Sequence, residues 1–218
     1  ELKGSRKNLK SISSLLSVQE GCDKFCSFCV VPYTRGVEIS RPAKQIISEA
    51  KELISIGAKE IILLGQNVNA WSQSNGKDIE MTFPKLIKEI SELNIDRIRY
   101  ITSHPRDMTE ELMRSHKDIK KLQPYLHLPV QSGSDKILKE MNRNYTSQEY
   151  IDIINRTREY REDIAISGDF IVGFPGETDD DFEATLDIVK KVKYAHAFSF
   201  NYSPRPGTPA ALKEDQID

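Results

Sequence analysis

The chain has 218 residues and a formal net charge of −2. That length suits one large domain or an α/β barrel with a sizeable core. The near-neutral charge excludes an overall basic signal for nucleic acid but leaves a local basic face open. No apolar run approaches the roughly 20 residues that cross a bilayer, and no signal-peptide pattern opens the chain. We expect a protein of the cytoplasm with no membrane partner.

Strand and helix patterns alternate along the whole chain. The predicted strands are SSLLSVQE (13–20), AKEIILLGQN (58–67), DRIRYITS (96–103), YLHLPV (125–130), DIAISGDFIVGFPG (163–176) and YAHAFSFNYSPRPGTP (194–209), the last running into a Pro/Gly loop. The predicted helices are AKQIISEAKELISIG (43–57), FPKLIKEISEL (83–93), TEELMRSHK (109–117), SDKILKEMN (134–142), TSQEYIDIINRTREYR (146–161) and TDDDFEATLDIVKKV (178–192). Pro, Gly, Thr and Ser at their ends are typical helix boundaries.

Six alternations of strand and helix predict βαβ units, a parallel sheet and right-handed crossovers. Six units are too few for a closed eightfold barrel, so we expect an open, partial (β/α)6 barrel. A doubly wound sheet is the alternative, because periodicity alone does not separate the two folds. In both folds the loops after the strands meet at one face, which is where parallel α/β proteins bind ligands.

All three cysteines lie in the loop after the first strand, in C-D-K-F-C-S-F-C. An odd number excludes a complete disulfide framework, and thiolates favour zinc, copper(I) or iron–sulfur clusters. A four-iron, four-sulfur (4Fe–4S) cluster held by Cys22, Cys26 and Cys29 would keep one iron open for a ligand. A zinc site completed by a distant histidine, a C-x-x-C redox pair and three incidental cysteines are the alternatives.

The cysteine motif resembles that of the radical S-adenosylmethionine (SAM) superfamily, whose fold is a partial (β/α)6 barrel. The longer string GCDKFCSFCVVPYTRGVEISRP resembles the methylthiotransferase branch, and LLGQNVNAW resembles its tRNA-modifying members. YITSHPRDM, LHLPVQSGSDKILKEMNRNYT, DFIVGFPGET and SPRPGTPA are similar to further blocks of the family, in the expected order. The resemblance covers essentially the whole chain.

The resemblance implies that Cys22, Cys26 and Cys29 hold a 4Fe–4S cluster whose open iron chelates the amino and carboxylate groups of SAM. An electron from the cluster then cleaves SAM to methionine and a 5′-deoxyadenosyl radical. The positions that match SAM contacts are Phe28 near the adenine, Gln66 and Asn67 for the amine, Gln131 and Ser132 for the ribose hydroxyls, Arg143 for the carboxylate, Asp169, Ile171 and Gly173 along the nucleoside, and Tyr202 and Ser203 at the adenine edge. No side chain is assigned a catalytic role beyond the cluster and SAM.

Several of these positions also have plain structural interpretations. Phe28 fits a core contact equally well, and Arg143 fits an exposed helix position equally well. His104 is a candidate acid or base because histidine titrates near neutrality, although a hydrogen-bonded loop histidine is the favoured interpretation. Trp71 and Arg35 are candidate contacts to RNA through stacking and phosphate binding.

The reaction implied by the resemblance adds a methylthio group to carbon 2 of N6-dimethylallyladenosine next to the tRNA anticodon. The implied partners are the anticodon stem-loop of tRNA and an electron donor such as a flavodoxin or ferredoxin. Threonylcarbamoyl-adenosine of tRNA and a ribosomal-protein aspartate are alternative targets. A zinc-stabilised α/β binding module is the alternative from another class.

The resemblance also implies that the chain is the catalytic core fragment of a longer protein. Residues 1–12 are expected to be a linker from an N-terminal domain, 13–210 the radical SAM domain, and 211–218 the start of a linker to a C-terminal RNA-binding domain. A second 4Fe–4S cluster is expected only in the full-length protein. Methylthiolation is therefore not expected from this fragment alone.

Overall fold

The computed structural model describes residues 11–76 and 78–217. All but the last two residues of the expected linker 1–12, and the final residue of the expected linker 211–218, lie outside the described residues. Within the described part of the chain, no helix is both long enough and apolar enough to cross a bilayer.

Strands and helices alternate as the sequence predicts, with two short antiparallel strand pairs and a five-residue helix over 31–35 added. The strands are β1 Ser13–Ser17, β2 Gln19–Glu20, β3 Ile39–Ser40, β4 Glu60–Leu64, β5 Ser72–Asn75, β6 Asp78–Thr82, β7 Arg97–Ile101, β8 Tyr125–His127, β9 Ala165–Val172 and β10 His196–Asn201. The helices are α1 Val31–Arg35, α2 Ala43–Ser55, α3 Phe83–Ser91, α4 Glu110–Asp118, α5 Asp135–Glu140, α6 Ser147–Tyr160 and α7 Asp179–Val192.

Six parallel strands follow one another in space in the order of the chain. β1, β4 and β7 form one parallel sheet, and β8, β9 and β10 form another. A parallel bridge between Ile98 and Leu122 joins β7 to the segment that leads into β8. A doubly wound sheet would reverse its strand order at a switch point, so the consecutive order confirms the partial barrel. Among the described strands β1 does not pair with β10, which leaves the barrel open.

The two faces of the curved sheet have different roles. Leu16, Leu63 and Tyr100 pair side by side across three strands and are fully buried beneath the helices. Leu15 points to the opposite, concave face and remains 53% exposed. The helices therefore cover the convex face, as consecutive right-handed crossovers require, and the concave face stays accessible to ligands.

Helix ends follow the local rules of capping. Thr146 and Glu149 form a capping box at the start of α6, and Thr178 forms one with Asp181 at the start of α7. Each box satisfies backbone N–H groups that have no partner within the helix. The Thr178 box fixes where the loop after β9 turns back into α7, and the N-cap Ser134 of α5 does the same for the loop after β8, so both position residues at the carboxyl edge of the sheet.

Two antiparallel pairs were not predicted from the sequence. β2 pairs with β3 and closes the base of the cysteine loop, and β5 pairs with β6 next to Asn75 and Gly76. Asn-Gly is a strong hairpin signal, and Gly76 has a φ of 72°. The signal was missed because β5 and β6 are polar and largely exposed, so they lack the alternation of a half-buried strand.

Candidate functional site

The cysteine loop closes on a glycine that admits no side chain. Gly21 has a φ of 75°, and a Cβ placed there would lie 2.0 Å from the carbonyl oxygen of Val37. Its N–H donates to Oε1 of Gln66 at 2.7 Å, which ties the loop after β1 to the loop after β4. The position therefore requires glycine, both for its left-handed backbone and for the close approach.

The far side of the loop is held by residues at the end of α5. Ser27 donates from its N–H to the carbonyl of Met141 at 3.0 Å and from its hydroxyl to the carbonyl of Glu140 at 2.7 Å. The Asn142 amide donates to the carbonyl of Phe25 at 2.9 Å. Sequence reasoning missed these contacts, because they join residues more than 110 positions apart and leave no local pattern.

Each of the three thiols has a hydrogen-bond donor beside it in the described part of the chain. The backbone N–H of Lys24 donates to Cys22, the backbone N–H of Val31 donates to Cys29, and Nη1 of Arg143 lies 3.5 Å from Sγ of Cys26. All three cysteines are free. Burial raises the pKa of Cys22 to about 11 and also raises that of Cys29. Metal binding would therefore release protons from these sulfurs, and the donors are in place to stabilise the resulting thiolates.

The arrangement does not favour the zinc alternative. Among the described residues, no group of three or more His, Cys, Asp or Glu side chains converges on a point where one metal ion could sit. A structural zinc needs four ligands around one centre. In a 4Fe–4S cluster each thiolate binds its own iron, so the sulfurs need not converge. The donor set thus fits a cluster better than a single ion.

Three of the predicted SAM contacts lie together in a small apolar cluster. Phe28, Ile171 and Tyr202 come from three different strand-end loops or strands. All three are partly buried and pack against a core of Ile137, Met141, Phe174 and Ala210. This core is separate from the main core between sheet and helices. A partly exposed apolar wall of this kind can cover one side of an adenine ring.

The two amides after β4 have different environments. Gln66 is exposed and its Oε1 accepts the bond from Gly21. Asn67 is 1% exposed, and its Nδ2 donates to Oδ2 of Asp107 at 2.8 Å. Asp107 also pairs with Lys24 at 2.8 Å. The side-chain oxygen of Asn67 has no hydrogen-bond partner among the described residues, so Asn67 rather than Gln66 offers a free acceptor.

Residues after β8 and along β9 are brought together by backbone pairing. Gln131 has a φ of 79°, an uncommon value for a residue with a side chain. Its N–H donates to the carbonyl of Asp169, and its carbonyl accepts from the N–H of Ile171, both at 2.9 Å. A Cβ added at Gly173 would meet no atom within 4 Å, so the chain leaves open space there.

Ser132 and Ser203 lie in contrasting positions. Ser132 is fully buried, and its hydroxyl lies 3.3 Å from that of Thr185 and accepts from the N–H of Ser134. Ser203 is exposed after β10. The placement of Ser132 favours a role in docking its loop on α7, while its predicted contact with ribose stays a prediction.

Unpaired polar atoms are concentrated at this same edge of the sheet. Apart from the ion-paired atoms of Glu60 and Arg99, six buried side-chain atoms in the described residues have no hydrogen-bond partner. Five of the six follow β4, β7, β9 or β10: Asn67, Ser103, His104, Glu177 and Tyr202. An unpaired buried polar atom costs about 1–3 kcal/mol. Such atoms are expected where a polar ligand completes the hydrogen bonding, and SAM presents an ammonium, a carboxylate and ribose hydroxyls.

His104 is held as a neutral ring. Its Nδ1 accepts from the N–H of Arg106 at 3.2 Å, which leaves the proton on Nε2. Burial lowers its pKa to about 2, with further lowering by Arg143, Lys24 and Arg106. Nε2 has no partner among the described residues, so His104 offers a hydrogen-bond donor rather than an acid or base of neutral solution.

The candidate RNA contact at Trp71 was wrong. Trp71 is 1% exposed, and its indole N–H donates to the carbonyl of Arg41 at 3.0 Å. A side chain fixed in the core cannot stack on a base. Arg35 is exposed at the end of α1 and remains a candidate.

The sequence profile of the radical SAM superfamily matches residues 16–189, from the first strand through most of α7. The chain belongs to the radical SAM superfamily. Membership agrees with the open six-stranded barrel and with the position of the three cysteines in the loop after its first strand. The radical SAM match ends before β10, which nevertheless pairs with β9 along its whole length.

Curated relatives are similar over nearly the whole chain. A tRNA-2-methylthio-N(6)-dimethylallyladenosine synthase of Rickettsia akari is 60% identical over 206 residues, which are 94% of this chain and 46% of the relative. The enzyme of the same name from Agrobacterium fabrum is 58% identical over 209 residues, 95% of this chain and 46% of the relative. The chain thus spans about half the length of the curated relatives it matches.

Solved structures share the fold at low identity. The radical SAM methyltransferase TsrM of Kitasatospora setae, with cobalamin and a 4Fe–4S cluster bound, aligns with a TM-score of 0.73 and 18% identity over 91% of this chain and 38% of TsrM. SuiB of Streptococcus suis, bound to SAM, gives a TM-score of 0.64 and 15% identity over 93% of this chain and 43% of SuiB. At such identity these likenesses concern the fold alone.

Proposed function

We propose that this chain is the radical SAM domain of a tRNA methylthiotransferase that adds a methylthio group to carbon 2 of N6-dimethylallyladenosine. The observation that carries the proposal is the convergence at one sheet edge of three hydrogen-bonded thiols, an apolar wall and five unpaired polar groups. The relatives that are 58–60% identical carry that activity in their names, which supports the choice of substrate.

Cys22, Cys26 and Cys29 would hold the 4Fe–4S cluster. The chain contributes three sulfurs, one hydrogen-bond donor for each of them, and a loop fixed at both ends. When bound, the cluster supplies the electron that cleaves SAM, and this chemistry suits a carbon–hydrogen bond that no base can ionise. The task of the protein is to bind, orient and exclude water.

Polar groups of the site would bind the methionine part of SAM. The free oxygen of Asn67 would accept from the ammonium group, because Asp107 holds the amide with its nitrogen turned the other way. Arg143 uses three of its five N–H donors within the chain, which leaves two for the carboxylate. The ammonium and the carboxylate of the methionine part would thus each bind a complementary side chain.

The remaining predicted positions would bind the nucleoside part. Phe28, Ile171 and Tyr202 would line the adenine, and the open space beside Gly173 would admit it. The further positions proposed here are Gln131, Ser132, Asp169 and Ser203. Gln131 and Asp169 are already joined through the backbone, so a single ligand could contact both.

The proposal extends to partners outside this chain. The RNA substrate is the anticodon stem-loop of a tRNA that carries N6-dimethylallyladenosine, and the electron comes from a donor such as a flavodoxin or ferredoxin. The full-length protein carries the second 4Fe–4S cluster. We propose that the enzyme works in the cytoplasm, where its tRNA substrate is found.

Nucleoside mass spectrometry of tRNA tests the proposed activity. Deleting the full-length gene should remove 2-methylthio-N6-dimethylallyladenosine and leave its unmethylthiolated precursor. A plasmid with the wild-type gene should restore the modified nucleoside, and the same plasmid with Cys26→Ser should not. Loss of methylthio-threonylcarbamoyl-adenosine, or of the ribosomal aspartate modification, would assign the alternative targets instead. Unchanged nucleosides in both tRNA and ribosomal protein would refute the proposal.

Anaerobic incubation of the chain with iron and sulfide tests the cofactor. We expect a brown protein whose broad absorbance bleaches on reduction and which binds SAM. Colourless protein holding one tight zinc would instead support the binding module. Single replacement of Cys22, Cys26 or Cys29 by serine should abolish the absorbance.

A further inference from the structure

Arg143 is a buried cation that has no acidic partner in the part of the chain that the structure describes. It is 5% exposed, and no carboxylate of the described residues lies within 4.0 Å of its guanidinium. Removing an ionised group from water is unfavourable unless an opposite charge or a full set of hydrogen bonds compensates it. Lys24, another cation that acts on His104, already has its partner in Asp107 at 2.8 Å. The fold therefore places a positive charge where a negative one is still to be supplied.

The guanidinium is fixed in position by rigid groups. Its Nε donates to the hydroxyl of Tyr145 at 2.8 Å, and its Nη2 donates to the carbonyl of Pro129 at 2.6 Å. Tyr145 in turn donates to the carbonyl of Val130 at 2.7 Å. The guanidinium carbon Cζ of Arg143 lies over the Tyr145 ring, 5.2 Å from its centre. These contacts leave Nη1 directed at Cys26, 3.5 Å from its sulfur.

Cys26 is the most buried of the three thiols. It is 8% exposed, whereas Cys22 and Cys29 are only partly buried. Both of those sulfurs receive a neutral backbone N–H, while Cys26 receives a charged donor. A hydrogen bond from a charged donor is roughly twice as strong as a neutral one. The most buried of the three cysteine residues thus has the only charged donor among the described residues.

We propose that Arg143 is a positioning residue for the cluster ligand Cys26, whose thiolate it compensates and whose cluster it makes easier to reduce. The inference rests on the proposed cluster at the three cysteines and concerns the cluster before SAM binds. Reduction adds negative charge to the cluster, and a fixed cation beside one of its sulfurs stabilises that added charge. The two N–H donors that remain on Arg143 are available for the SAM carboxylate, so both roles are compatible.

The test is the midpoint potential of the SAM-free cluster in this chain, measured by an anaerobic redox titration followed by EPR. Arg143→Gln should move the midpoint to more negative potential by about 59 mV, which is a tenfold loss in the one-electron reduction equilibrium. Arg143→Lys keeps the charge and should give a smaller shift in the same direction. Arg114→Gln, which removes an exposed guanidinium on α4, is the matched control and should not shift the midpoint.

Tyr145→Phe provides a second route if Arg143→Gln fails to fold. It removes the anchor of Nε without removing the charge, so we expect an altered EPR spectrum of the reduced cluster and a smaller negative shift. A folded Arg143→Gln protein that takes up no iron, beside an Arg143→Lys protein that does, would also support the proposal. A wild-type midpoint and spectrum in Arg143→Gln would overturn it. If that variant does not fold, wild-type values in Tyr145→Phe would overturn it.

The failure of this inference can be told apart from failure of the proposed function. If the wild-type chain takes up no iron and sulfide, the cluster site itself is wrong. If it forms a cluster whose potential does not respond to Arg143, only the role of Arg143 at Cys26 is wrong. SAM affinity, measured separately by equilibrium binding, reports the carboxylate contact and does not enter the potential of the SAM-free cluster.

Discussion

Two buried polar regions of this protein differ in whether the chain completes their hydrogen bonds. Around Asp181, at the start of α7, the hydroxyls of Ser134 and Thr178 donate at 2.6 and 2.8 Å, and Nζ of Lys136 donates at 2.7 Å. Burial alone would raise the pKa of Asp181, but these donors hold it well below its usual range. At the cysteine edge, by contrast, Asn67 and His104 each keep an unpaired atom.

The difference separates a structural network from a binding site. The Asp181 network joins α5 and α7 and needs nothing from outside the chain. The unpaired atoms at the cysteine edge cost about 1–3 kcal/mol each in the free protein, and a ligand that pairs them recovers that cost. Removing a group from the first region should therefore lower stability, whereas removing one from the second should lower affinity.

Asp181→Ala should give the largest loss of stability. It removes a capping box and leaves Ser134 without its acceptor, while Lys136 keeps the carbonyl of Gly176, so the free energy of unfolding should fall by about 3 kcal/mol. Urea denaturation measures this, and SAM affinity of the folded, cluster-loaded chain should stay unchanged. The control is Asp187→Ala, whose exposed pair with Lys190 should contribute less than about 0.5 kcal/mol. If both variants lost the same free energy of unfolding, the Asp181 network would contribute no more to stability than an exposed ion pair.

Asn67→Ala should show the opposite pattern. The lost acceptor should weaken SAM binding to the cluster-loaded chain about tenfold, or about 1.4 kcal/mol. The free energy of unfolding should fall by less than in Asp181→Ala, because removal of the unpaired oxygen offsets the lost hydrogen bond to Asp107. Isothermal titration calorimetry under anaerobic conditions measures the first and urea denaturation the second. Asn155→Ala, which removes an exposed amide on α6, should change neither quantity. Unaltered SAM affinity in Asn67→Ala would contradict the proposed contact.

His116 has an unpaired atom that lies away from the site. Its replacement should therefore change the stability of the fold and leave SAM binding unaltered. Its Nε2 lies 2.7 Å from the hydroxyl of Tyr100, and its Nδ1 has no hydrogen-bond partner in the described residues. Burial, with a smaller contribution from Arg161, lowers its pKa from 6.5 to about 4. Between those values the unfolded state binds more protons, so stability falls as the pH falls, by about 1.4 kcal/mol per pH unit.

His116→Gln should flatten this dependence. Glutamine keeps a partner for Tyr100 but does not titrate. The contribution of one proton to the slope of the free energy of unfolding against pH, between pH 6.5 and 4, should therefore disappear. His104, whose pKa is also lowered by burial, should supply the slope that remains. Urea denaturation at several pH values measures both slopes, and identical slopes in wild type and variant would show that His116 is not buried as described. SAM affinity should not respond to this replacement.

Much of the fold could be predicted because its signals are local. The apolar periodicity of 43–57 and the caps at Thr146 and Thr178 gave helices within two residues of α2, α6 and α7. The β5–β6 hairpin was missed because its strands are exposed and polar. The site was predicted as a set of positions at one edge, since parallel strands place their carboxyl ends together.

The sequence by itself determined the order of strands and helices and the three soft ligands of one loop, because periodicity and cysteine spacing are properties of neighbouring residues. Only the tertiary structure decided that Asn67 rather than Gln66 has a free acceptor and that Trp71 lies in the core. It also placed Arg143 beside Cys26, 117 positions away. Such contacts depend on how separate strand-end loops meet in space, and no local pattern encodes that meeting.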